Sequence, residues 1–170
     1  MKLRKYIFTT LLLSIGLIMH QITPGFLGGM KFDFLLIFMF LSLFINRERD
    51  NFIITALLAG LLSALTTTFP GGQLPNMIDK AVTCMVLFIL LKSLGKFEVN
   101  SFIVGLTAAV GTFVSGMTFL SAASFITGLP VPMKALVVGV VLPATLLNII
   151  GTIFIFKVVK VALKNTRAAF

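Results

Sequence analysis

Six apolar runs, at about 6–22, 28–46, 52–69, 76–92, 101–127 and 131–158, take up most of the chain. Each approaches the ~20 residues that an α-helix needs to cross the hydrocarbon of a bilayer. A chain of 170 residues that is 58% hydrophobic and 11% charged cannot hide so much apolar surface in one aqueous core, so lipid is its expected solvent. The last two runs are longer and call for tilt, a kink or extension beyond the bilayer; Pro143 and Gly151 in "VLPATLLNIIGTIF" are candidates for the kink. The start, "MKLRKYIFTTLLLSIGLIMH", has the basic-then-apolar layout of a signal peptide, but no A-x-A-like site follows. It reads as an uncleaved first span. No Pro- or Ser-rich linker and no repeat divides the sequence, which gives one membrane domain over 1–170.

Charge sets the orientation. Eleven of the 14 Lys and Arg fall at the N-terminus, in alternate connections (Arg47 and Arg49; Lys92 and Lys96) and in the tail. Lys31, Lys80 and Lys134 are left for the other side. The positive-inside rule then places both termini in the cytoplasm. The expected fold is all-α: a polytopic membrane protein, a compact bundle of six transmembrane helices. This spread of charge along the ends of apolar runs, with no basic patch, argues against nucleic acid as a partner.

The three outward connections, "HQITPGFLGGMKFD", "TTTFPGGQLPNMIDK" and "TGLPVPMK", all contain Gly and Pro, and the first two hold most of the unusual polar groups. Pro75 suits the first turn of a helix, so span four is expected to start there, with Asn76 as its N-cap and Asp79 in a capping-box position. Asn76, Asp79, Lys80 and Thr83 share one helical face. Capping does not account for Lys80, because a cation in the first turn opposes the helix dipole and is costly near lipid unless paired. Asp79 and Lys80 are therefore either a ligand-binding or intramolecular pair, or a cap and a snorkelling lysine.

Counting back from Arg47 brings Lys31 and Asp33 into span two. The two are poorly placed to pair with each other, and Asp33–Lys80 is the simplest cross-span pair; interfacial hydration is the alternative. His20 reads as an interfacial hydrogen-bonding residue or a proton relay. Asn148, deep in span six, either bonds a carbonyl freed by Pro143 or lines a cavity. Small residues on span five (Ala108, Gly111, Thr112, Ser115, Gly116) and Thr10 and Ser14 on span one fit close helix packing within the chain or a seam for a partner. Cys84, the only cysteine, reads as a small buried hydrophobe. One His and one Cys cannot form a closed zinc site unaided, and no phosphate-binding loop or nucleophile elbow occurs. An enzyme is not expected, nor a cofactor or metal in this chain.

The segments "GMKFD" (29–33), "FPGGQLPNMIDK" (69–80) and "LPATLLN" (142–148), in order across six spans, resemble the bacterial tryptophan transporter family, TrpP. That family in turn resembles the substrate-binding (S) component of energy-coupling-factor transporters. The resemblance implies a six-helix bundle with an outward pocket capped by external loops. It also implies a membrane scaffold subunit and two ATPase subunits as partners, which would use ATP to drive uptake. S components often carry Ala-x-x-x-Ala on the first span for scaffold docking; here Thr10-x-x-x-Ser14 stands in its place.

A zwitterionic amino acid needs a cation, an anion and a flat apolar slot. Lys80 or a helix N-terminus suits its carboxylate, and Asp33 or Asp79 its ammonium. Phe69, Phe119 or Phe32 suits an indole ring, and Gln73, Asn76 or Asn148 its N–H. Lys31 completes the charged group, and Gly71 and Gly72 let a loop backbone close over the ligand. Another planar ligand such as a vitamin, a self-sufficient carrier, or a non-transporting assembly factor are the competing expectations.

Overall fold

The computed structural model describes residues 2–24, 32–95 and 99–165. The order is α1 (Lys2–Ile22), α2 (Phe34–Ile45), α3 (Arg49–Leu65), α4 (Gln73–Ser93), α5 (Ser101–Ile126), α6 (Met133–Leu136), a π-helical turn (Val137–Val141) and α7 (Leu142–Asn165). No strand occurs among the described residues. Four segments are long and apolar enough to cross a membrane: Leu3–Ile22, Gln73–Ser93, Ser101–Ile126 and Met133–Ala162.

The second apolar run departs from expectation. Its helix has 12 residues and begins after Asp33, so Asp33 lies outside the helix as its N-cap and accepts from Leu36 N. At 1.5 Å per residue α2 rises roughly 18 Å, well short of a ~30 Å hydrocarbon core. It can be short because it does not meet lipid. Its sequence, "FLLIFMFLSLFI", has no polar face, and Leu35 through Phe44 are all buried. α1, α3, α5 and α7 pack around it. Close approach is local and specific: a Cβ on Gly111 of α5 would lie 2.6 Å from the Phe40 ring, and one on Gly116 2.7 Å from Val141 Cγ1, so these two glycines serve packing within the chain.

Other boundaries also move. α3 starts at Arg49 and ends at Leu65, leaving Phe69 in the following loop. α4 starts at Gln73 with Gly72 as N-cap, so Asn76 is not the cap and no capping box with Asp79 exists. Pro75 stands at the third helical position, still within the first turn where a missing N–H is harmless. In the last span the irregularity falls just before Pro143: Leu142 N–H donates to Val137 O, five residues back. Pro143 cannot donate to the preceding turn, and the helix widens there. Gly151 is a packing position, since a Cβ there would meet Ile37 Cδ1 at 2.8 Å.

Exposure is inverted on the outer helices. Leu146, Ile150, Phe154 and Val158 of α7 are exposed while Asn148 and Thr152 are wholly buried. α1 likewise exposes Ile7, Leu11, Ile15 and Ile18. An apolar outside around a polar inside is the arrangement a lipid solvent selects.

Candidate functional site

One face of α5 organises the polar interior. Thr112, Ser115 and Phe119 follow one another at three- and four-residue spacing, so they line a single stripe. At Thr112 the stripe meets Asn148 of α7, whose Nδ2 donates to Thr112 Oγ1 at 3.3 Å. The Asn148 Oδ1 accepts from Asp33 N at 3.0 Å. One side chain therefore ties α7 and α5 to the start of α2, and it is wholly buried. The Asp33 Oδ1 caps α2 and lies 3.4 Å from His20 Nδ1 at the end of α1. Its Oδ2 has no hydrogen bond among the described residues.

One turn along, at Ser115, the stripe meets α4. Lys80 Nζ donates to Asp79 Oδ2 at 2.5 Å and to Ser115 Oγ at 3.4 Å. Thr83 Oγ1 donates to Asp79 Oδ1 at 3.0 Å, so both carboxylate oxygens are engaged. The expected Asp33–Lys80 ion pair does not form; the adjacent Asp79 takes the lysine instead. Successive helix positions diverge by about 100°, but a lysine stem is long enough to fold back when the alternative is a bare charge in an apolar interior.

Another turn along, Phe119 meets Phe69 of the α3–α4 loop edge to face, with centroids 5.3 Å apart. Beyond this pair an open cleft of about 810 Å³ is lined by Thr68, Phe69, Pro70 and Gly71 on one side and Thr127, Gly128, Leu129 and Pro130 on the other. Gly71 is in the left-handed region at φ +69°, and a Cβ there would lie 2.3 Å from Thr127 Cγ2. Gly72 is as tight, its Cβ position being 2.6 Å from Thr67 Oγ1. The two loops thus already touch at the mouth.

Of the residues singled out in the sequence, Asp33, Asp79, Lys80, Asn148, Phe69 and Phe119 converge along this stripe. Asn76 is half-buried and donates to Gly72 O at 2.8 Å, while Gln73 is exposed at the mouth. Phe32 packs near Gly151, with its ring centroid 5.6 Å from that of Phe34. Lys31 lies outside the described residues. Thr10 and Ser14 are exposed and bond back to Tyr6 O and Thr10 O, on the apolar side of α1 that the bundle leaves uncovered. Cys84 is buried, with Sγ 3.8 Å from Met39 Sδ. Sequence reasoning did not assign polar roles to Thr112 and Ser115, because hydroxyls among small residues read as packing positions.

The sequence profile of the tryptophan transporter TrpP family matches residues 2–164. The chain belongs to that family. It is 47% identical to a probable tryptophan transport protein of Clostridium acetobutylicum, over all of this chain and 98% of that one. It is 40% identical to a protein of the same description from Bacillus subtilis, over 98% and 96% of the two chains. A third, from Clostridium perfringens, is 39% identical over 91% and 90%. No solved structure matches the chain. Family membership and the apolar exterior make this TrpP-family chain a multi-pass bacterial membrane transport protein, and not an enzyme.

Proposed function

We propose that this chain captures L-tryptophan at its outer face, as the membrane-embedded substrate-binding component of an uptake system. Its six apolar runs cross the bilayer with both termini in the cytoplasm, the orientation favoured by the distribution of Lys and Arg. α2, too short to span by itself, is shielded from lipid by its neighbours. In the S-component reading, a scaffold subunit docks on the Thr10 and Ser14 side of α1, and two ATPase subunits supply energy from ATP.

The observation that carries the proposal is the α5 stripe, which presents a cation, two acids, an amide and an aromatic pair in sequence beneath an outward cleft. Lys80 takes the ligand carboxylate, exchanging part of its bond to Asp79 for a second charge-assisted bond. Asp33 takes the ammonium, because its Oδ2 has no hydrogen bond among the described residues while both Asp79 oxygens are engaged. Phe69 and Phe119 flank the indole, and Asn148 or Asn76 accepts from its N–H. Gly71 and Gly72 hold the loop that closes the mouth, with Gln73 at its edge. Lys31 belongs to the same outer group by sequence.

The deciding measurement is equilibrium binding of L-tryptophan to the purified chain, with indole-3-propionate and tryptamine as analogues lacking one charge each. Saturable binding that weakens on loss of either charge is expected. A chain that binds neither tryptophan nor its analogues overturns the proposal.

A further inference from the structure

At the opposite end of the bundle from the α3–α4 loop, a second cleft of about 360 Å³ is lined by Arg47, Arg49, Phe52, Phe88, Leu91, Lys92 and Gly95. Three cations surround it, and none has an acidic partner among the described residues. The acids of the same segment are drawn the other way. Glu48 is held by Lys5 at 2.9 Å, and Asp50 accepts from Tyr6 at 3.5 Å, both toward α1. Lys92 Nζ rests 5.7 Å from the centroid of the Phe88 ring.

Two further features narrow the occupant, one favouring an anion and one an acyl chain. α3 begins at Arg49 with no side-chain cap; Asn51 N–H bonds Glu48 O, while the N–H groups of Arg49 and Asp50 have no partner among the described residues, at the positive dipole end beside Arg47 and Arg49. Arg49 itself opposes that dipole, a cost that an incoming anion relieves. The wall is apolar: Phe52 and Leu91 are buried, and Phe52 and Phe88 meet edge to face at 5.0 Å. A soluble anion has no use for that wall, whereas a lipid has a headgroup for the cations and an acyl chain for the rings. The position suits it, since Arg47, Arg49 and Lys92 flank the ends of apolar runs, at headgroup depth.

We infer that this cleft is a binding site for an anionic phospholipid, its phosphate held by Arg47, Arg49, Lys92 and the start of α3, with the upper acyl chain against Phe52 and Phe88. The site is separate from the α5 stripe and does not depend on what that stripe binds.

Native mass spectrometry of the purified chain with phosphatidylglycerol, phosphatidylcholine and sn-glycerol 1-phosphate tests this. Phosphatidylglycerol is expected to be retained one to one and phosphatidylcholine to be lost. Each of Arg47→Gln, Arg49→Gln and Lys92→Gln is expected to weaken retention roughly fivefold, and the triple variant on the order of a hundredfold. Arg47→Lys with Arg49→Lys keeps most of it. Helicity by circular dichroism checks folding, and the single variants decide the matter where the triple variant does not fold. Equal retention of phosphatidylglycerol by these variants overturns the site. Binding of glycerol phosphate as strong as that of the lipid overturns a lipid as its occupant.

Discussion

Lys80 Nζ lies 2.5 Å from Asp79 Oδ2, and the two side chains are only 4% and 2% exposed. Neither charge can be hydrated, so each depends on the other, and removing one leaves an uncompensated charge in an apolar interior. Lys80→Met and Asp79→Asn are each expected to destabilise the chain by about 3–5 kcal/mol, and the double variant by clearly less than the sum. Unfolding in detergent gives the cycle directly. All three variants should also lose tryptophan binding, so a stable double variant that still bound the ligand would falsify the role given to Lys80.

Asp33 separates its structural task from its proposed binding task. As N-cap of α2 it needs only an oxygen acceptor, and asparagine supplies one about equally well. Asp33→Asn should therefore change stability by less than about 1 kcal/mol, while Asp33→Ala should cost about that much through the lost cap. Tryptophan binding should fall at least about tenfold in Asp33→Asn, since a bond to a charged acceptor contributes about 1.5–3 kcal/mol. Indole-3-propionate, which has no ammonium, should bind both forms alike in titration calorimetry.

The charged residues were legible because charge inside an apolar run is costly and must be explained; Asp79, Lys80 and Asn148 stood out on that ground. Their partners were not legible. The sequence leaves Lys80 two acids, Asp79 beside it and Asp33 across the bundle, and helical spacing does not choose between them; the flexible stem closes on Asp79. Asn76 looked like a cap because it follows Pro75, yet proline is tolerated anywhere in the first turn and the helix opens three residues earlier. The shortness of α2 was visible in the 13 residues between Asp33 and Arg47. Read as a lipid-facing span, so short a run has to extend back over Asp33; the sequence does not show that α2 is walled off from lipid.

Gly71 joins the two loops at the mouth, and both its φ of +69° and the 2.3 Å approach to Thr127 Cγ2 resist a side chain. Gly71→Ala should cost about 1 kcal/mol from the backbone alone, with a further steric penalty. Thr127→Gly added to it should relieve the steric part and leave the backbone part. If closure of these loops retains the ligand, tryptophan should dissociate faster from Gly71→Ala, by stopped-flow fluorescence, with a smaller change in association.

Among the described residues Asn148 is the one side chain that bonds both the Asp33 backbone and Thr112, so its loss strands a half-buried N–H and a buried hydroxyl at once. Asn148→Ala should destabilise by at least about 2 kcal/mol, because each stranded group costs about 1–3 kcal/mol. Thr112→Val removes only one acceptor and should cost less. In the Asn148→Ala background Thr112→Val should cost almost nothing, because the hydroxyl has already lost its partner. A purely local packing role for Asn148 predicts instead that the two losses add. The same variant should weaken tryptophan binding, since the start of α2, and with it Asp33, is no longer held to α5 and α7.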